Sequence, residues 1–147
     1  MNESLVIVMA GAEAFALPSA RVDAVFRVGP HARVPLAAPE IAGIVQHRGR
    51  MITAVCLRRF TGGAARPEIA GAFALSVTRG GEVIALIVDS VDNVVRVPAD
   101  RRVGVPAHYD SARRAIICCV YAAGGGLLPV LDADALFQFG TSAPSAA

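Results

Sequence analysis

Between Ile41 and Leu57 the chain runs apolar, bends through Arg48-Gly49-Arg50, and runs apolar again; nowhere else does a tight, strongly cationic turn break a hydrophobic run. Glycine takes positive φ without steric cost, and the flanking guanidinium groups have nowhere to bury. These constraints dictate a strand-like arm, an exposed turn and a buried strand. Two fixed positive charges then face outward. No nucleophile, base and acid converge beside them, so the stretch reads as a contact surface rather than a catalytic one.

Short runs of the same kind fill the rest of the chain. Leu5 to Met9 and Phe15 to Leu17 predict a first hairpin, and Phe73 to Val77 with Val83 to Val88 predict a second across Thr78-Arg79-Gly80-Gly81-Glu82. The β-branched density from Val91 to Val97 favours strand. Ile116 to Tyr121 and Leu127 to Leu131 predict a last hairpin around Gly124-Gly125-Gly126. Helix is expected over Ser19–Val25, as a single turn around Glu40 to Gly43, and over Ala133–Phe139 with Asp132 as its N-cap. His31 to Pro39 reads as an extended surface loop punctuated by proline, and Pro98 to Arg114 as polar and irregular. Many short strands and few short helices imply a mainly β fold of two small sheets or barrels. The expected organisation is one domain over residues 1–139, with a flexible connector near 61–68 and a disordered tail at 140–147.

At 147 residues one domain with a substantial core is expected. Hydrophobic residues make up 54% of the chain and charged ones 18%, so either strands are buried on both faces or apolar surface is kept for a partner. All 14 basic residues are arginine, but they are scattered and have few aromatics between them, which argues against nucleic acid. Cys56, Cys118 and Cys119 lack disulfide or Cys-x-x-Cys spacing and read as small buried hydrophobes in a reducing cytoplasm. His31, His47 and His108 show no ligand spacing, so no metal or other cofactor is expected. The start of the chain is not built as a signal peptide, and the uncharged stretch Ala115 to Leu131 is broken by glycine and proline, which suits a hairpin better than a membrane span. The triple glycine lacks the Gly-Lys-Ser/Thr of a phosphate loop and precedes a strand. Asp89, Asp92, Asp132 and Asp134 read as strand ends and a helix cap rather than acid/base pairs.

Four segments in order resemble the CheW-like family, the β-rich adaptor domains of bacterial chemosensory arrays. Leu5-Val6-Ile7-Val8-Met9 with Phe15-Ala16-Leu17-Pro18 and Val22-Asp23-Ala24-Val25 is similar to the family's opening strands and Val-x-Glu-Ile element. Ile41-Ala42-Gly43-Ile44-Val45-Gln46-His47-Arg48-Gly49 is similar to Ile-x-Gly-Val-x-Asn-Leu-Arg-Gly. Ala85 to Val91 resembles Gly-Leu-x-Val-Asp-x-Val, and Leu127 to Asp132 followed by Leu136-Phe137 resembles the closing Leu-Ile-x-Leu-Leu-Asp segment. The resemblance implies two intertwined five-stranded β-barrels and no enzymatic activity. It also implies a role coupling methyl-accepting chemoreceptors to a CheA-type histidine kinase, without membrane insertion and with self-association in arrays. The chain departs from the pattern at Ala24, where Glu is usual, and at His47, Thr53, Cys56 and Cys118.

Carried over position by position, the resemblance implies that Val22, Gly43, Val45, Arg48 and Gly49 make or shape the partner-binding surface. Arg48 is the sharpest candidate: as a contact it presents a planar guanidinium on a rigid turn, and as a structural residue it fastens the two halves with a salt bridge. Gly43 and Gly49 read as positions where a side chain is excluded, and Val22 suits core as well as contact. Two other functions stay open. One is a divergent paralogue that keeps the kinase but serves another receptor or a non-motility pathway. The other, from a different class, is a small hydrolase or ligand-binding barrel.

Overall fold

The computed structural model describes residues 2–61 and 68–141. In chain order the strands are β1 (Asn2–Ala10), β2 (Glu13–Pro18), β3 (Val22–Arg27), β4 (His31–Ala32), β5 (Ile41–His47), β6 (Arg50–Cys56), β7 (Phe73–Arg79), β8 (Glu82–Val88), β9 (Ser90–Pro98) and β10 (Arg102–Val103). Helix α1 (Ser111–Ile116) then leads into β11 (Ile117–Ala123), β12 (Gly126–Leu131) and α2 (Ala133–Thr141). Each expected hairpin forms, with Val8 opposite Phe15, Leu75 opposite Leu86, and Val120 opposite Pro129.

Two sheets result. The first has the order β10-β11-β12-β2-β1-β9 and the second β3-β7-β8-β6-β5-β4. Setting aside the two-residue strands β4 and β10, each holds five strands, as the fold expectation required; both are hydrogen-bonded as open sheets. The chain changes sheet at a 3-10 turn, Ser19–Arg21, and again at Asp89, so both ends of the chain build the first sheet and the middle builds the second. Residues 62–67 of the expected connector lie outside the described residues, and the strands flanking it, β6 and β7, both belong to the second sheet.

Burial on both faces explains the apolar composition. Along β8, Ile84, Leu86 and Val88 join a core between the sheets, where they meet Val6, Phe15 and Leu17, while Ala85 and Ile87 point into the second sheet's own interior. That interior takes small residues, Ala54, Ala74 and Ala85, because a tightly curled sheet leaves little width inside. The curl brings together strands far apart in the sheet order: Phe26 on β3 stacks on His47 at the end of β5, ring centroids 4.1 Å apart.

Several local expectations need correction. The helix expected over Ser19–Val25 is only the 3-10 turn; Val22 and Val25 pair with Val77 and Leu75, and alternate residues of β3 are exposed, so ladder pairing outweighs the apparent helical spacing. No helical turn spans Glu40 to Gly43, because β5 starts at Ile41 and the Glu40 carbonyl accepts from the Cys56 N–H at 2.8 Å. The region expected to be irregular holds α1, whose N-cap Asp110 accepts from the Arg113 N–H at 2.9 Å. His31 and Ala32 are strand rather than loop. Asp132 caps α2 as expected, and α2 runs on through Gly140 and Thr141. Residues 142–147 lie outside the described residues.

Candidate partner-binding site

Among the described residues, four hairpins close with two-residue loops, and in each the first loop residue has positive φ. Glycine holds that position in three of them: Gly11 at 63°, Gly80 at 58° and Gly124 at 58°. In the β5–β6 hairpin it is Arg48, at 51°, followed by Gly49 at 75°. Positive φ at both loop residues is the requirement of a type I′ turn, which matches the twist of a hairpin. A side chain there costs about 1 kcal/mol relative to glycine.

Its guanidinium donates to Asp23 Oδ2 at 2.7 Å, yet the Arg48 and Asp23 side chains keep 63% and 47% of their surface exposed. An ion pair this open contributes about 1 kcal/mol or less. Both residues belong to the second sheet, so the bridge fastens its edge strand to a turn and does not join the two halves. The pair lines a cleft of about 110 Å³ with His47, Arg50, Ile52 and Val83. Met51, 58% exposed, and the outward-facing Val25, 48% exposed, put apolar surface on the same strands as the charges.

Asp23 owes its position to a bulge. Val22 pairs with Val77 and Ala24 with the adjacent Ser76, so Asp23 is the additional residue, turned out of the ladder. The fully buried Ser76 hydroxyl repairs the break, accepting from the Ala24 N–H at 2.9 Å and donating to the Ala24 carbonyl at 3.3 Å. A carboxylate therefore stands beside Arg48 although Ala24 has none, supplied one residue earlier. Burial first and the Arg48 charge second hold His47 below the usual imidazole range, against the pull of Asp23. A neutral ring suits its stack on Phe26.

The structure brings Arg48 and Gly49 together at this face and sends the other expected residues inward. Val45 is fully buried in the second sheet's interior, so it shapes the strand from within. Val22 is half-buried against the core between the sheets. A Cβ on Gly43 would lie 2.5 Å from the Ala32 carbonyl oxygen, so this glycine permits the close approach of β4. Asp23, Ser76 and Phe26 are the residues that sequence reasoning missed. Asp23 is 25 positions from Arg48, and no local pattern marks a bulge. The carboxylates open to an acid/base reading are occupied: Asp89 accepts from the Gly11 N–H and from Arg58 at 3.0 Å, and Asp132 caps α2.

Comparison with known proteins places this geometry in a family. The model of the CheW-like domain matches residues 4–141. Among solved structures, the scaffolding protein TtCheW from Thermoanaerobacter tengcongensis superposes with a TM-score of 0.77 at 20% identity, over 90% of each chain. No curated protein matches.

Proposed function

Because the chain belongs to the CheW-like domain family, we propose that it is a non-catalytic adaptor of a bacterial chemosensory array, coupling chemoreceptors to a CheA-type histidine kinase through the face around Arg48. The observation that carries this reading is the β5–β6 turn, where arginine occupies a strained position that the other three hairpins give to glycine. Stability alone gives no preference for arginine there. A guanidinium presented to solvent, beside an acidic neighbour and exposed apolar side chains, suits a carboxylate or backbone carbonyl of a partner. Arginine at such a position is often an interface hot spot. In this reading the protein works in the cytoplasm and reaches membrane receptors through its partners; no described helix is long and apolar enough to cross a membrane.

The test is co-elution of the purified chain with a CheA-type histidine kinase from the same organism, and with receptor fragments, before and after Arg48→Glu. Loss of assembly with little change in melting temperature is expected; unchanged assembly sinks the role of Arg48.

One observation favours a second reading, that of a paralogue serving a different receptor. The carboxylate facing Arg48 comes from Asp23 and a ring stack occupies His47, so charge and shape on this face differ from the usual family pattern. Array recruitment by the same receptors as an ordinary family member, with equal affinity, counts against it.

A further inference from the structure

Strand β11 enters its ladder through a second bulge. Ile117 faces Leu131 and Cys119 faces Val130, so Cys118 is the additional residue. Side chains of neighbouring residues in a regular strand point to opposite faces. Here the irregularity brings the two sulfurs to 3.7 Å, with the Cys118 thiol donating to Cys119 Sγ. Cys118 is exposed, which corrects the expectation that all three cysteines are buried, while Cys119 is 8% exposed. A part-buried thiol on an exposed residue and a more sheltered one are thus in van der Waals contact, on a strand paired with β12 and β10 on its two sides. Cys56 is buried on β6, in the other sheet.

Although Cys118 is exposed as a residue, its sulfur is part-buried, with the Val130 carbonyl 3.6 Å and the Leu131 carbonyl 4.0 Å away; that burial, with Cys119 next, pushes the thiol up to about 12, so it stays protonated at neutral pH. Chemistry that runs through a thiolate, such as alkylation, disulfide exchange or binding of a divalent cation, is slowed accordingly. A condensation that takes up neutral thiols and releases no charge is not.

We propose that Cys118 and Cys119 form a dithiol capture site for trivalent arsenic, whose softness matches sulfur. With an organic arsenoxide, the exposed Cys118 adds first and the sheltered Cys119 closes the ring. Two S–H bonds and the arsenic–oxygen bond break, two As–S bonds form, and the oxygen leaves as water carrying both thiol protons. Arsenic stays trivalent, so no oxidant or reductant is needed. Because the sulfurs already touch, the second bond forms at high effective concentration.

The test uses the full chain and phenylarsine oxide. Intact mass spectrometry should show one phenylarsenic group per chain with two thiols consumed, and the adduct should survive excess 2-mercaptoethanol. Cys118→Ala and Cys119→Ala should each lose the adduct to that monothiol at least about tenfold faster, the chelate advantage being gone. Cys56→Ala should behave as the wild type. Iodoacetamide should label native Cys118 slowly at neutral pH while the arsenoxide reacts readily. Release of the wild-type adduct by monothiol, or its full retention in Cys118→Ala, overturns the proposal. Cys118→Ala changes an exposed side chain, so it serves even if the buried Cys119→Ala fails to fold.

Discussion

The β5–β6 and β11–β12 hairpins have almost the same turn and opposite uses for it. Their loop residues sit at φ 51° and 75° in Arg48-Gly49 and at 58° and 81° in Gly124-Gly125. The glycine pair makes the connection without strain and offers nothing to a partner. The arginine pays about 1 kcal/mol in backbone strain and recovers about 1 kcal/mol or less from its exposed bridge to Asp23. Since these nearly cancel, stability does not account for Arg48. The difference between the hairpins therefore separates what the fold requires from what the surface presents, and variants on each side of it should respond differently.

The largest effect is expected where the cationic hairpin is held from within. Gly43→Ala drives a Cβ to 2.5 Å from the Ala32 carbonyl oxygen, a backbone atom that cannot swing aside, at a φ of 149° that side chains rarely adopt. Overpacking of this kind costs about 3 kcal/mol. Denaturant unfolding should record that loss, and assembly should fall with the folded fraction; a variant as stable as the wild type would show that β4 yields easily.

Arg48→Glu comes next and acts mainly on binding. It should weaken kinase or receptor assembly by about 2 kcal/mol, roughly thirtyfold in Kd, the scale of a hot-spot arginine. Its melting temperature should move by no more than about 3 °C, because the bridge it removes is exposed. Equal losses of stability and assembly would mean that the residue holds the turn rather than the partner. Gly124→Ala is the control and a smaller change. It should cost about 1 kcal/mol in stability for placing a side chain at positive φ, with assembly unaltered. If it weakens assembly as much as Arg48→Glu, the contrast between the two turns fails.

What was legible in the sequence divides along the same line. Hairpins could be read because alternating apolar residues and a glycine turn are local signals, and Arg48 stood out because it interrupts one. Strand β3 was misread as helix because Val22 and Val25 suit either period until Val77 and Leu75 on β7 choose between them. The helix at Ser111 was missed because six residues carry little periodicity, although Asp110 was available as a cap. Interleaving of the two sheets has no local trace at all, since β1 finds β9 across most of the chain. Asp23 needed both a bulge and the curl of the second sheet to reach Arg48, so the acidic half of the site could be seen only in three dimensions.

The smallest effect concerns the neighbour of Arg48. His47 has its pKa held below the usual 6.5, by burial first and by Arg48 second, with Asp23 opposing. In the window between the folded value and 6.5 the unfolded chain binds more protons than the folded one, so stability must rise with pH across it. The contribution is complete above pH 6.5 and is lost as pH falls through the folded value. His47→Leu keeps an apolar body against Phe26 and removes the proton, so its stability should change less than the wild type's as pH is lowered from about 7 to 5. Chemical denaturation at several pH values in that range measures both slopes. Parallel slopes would place the titration elsewhere. A flatter slope in the variant would place the titration at His47, whose ring is held neutral by burial first and by the Arg48 charge second, an influence that the Gly124-Gly125 turn has no side chains to exert.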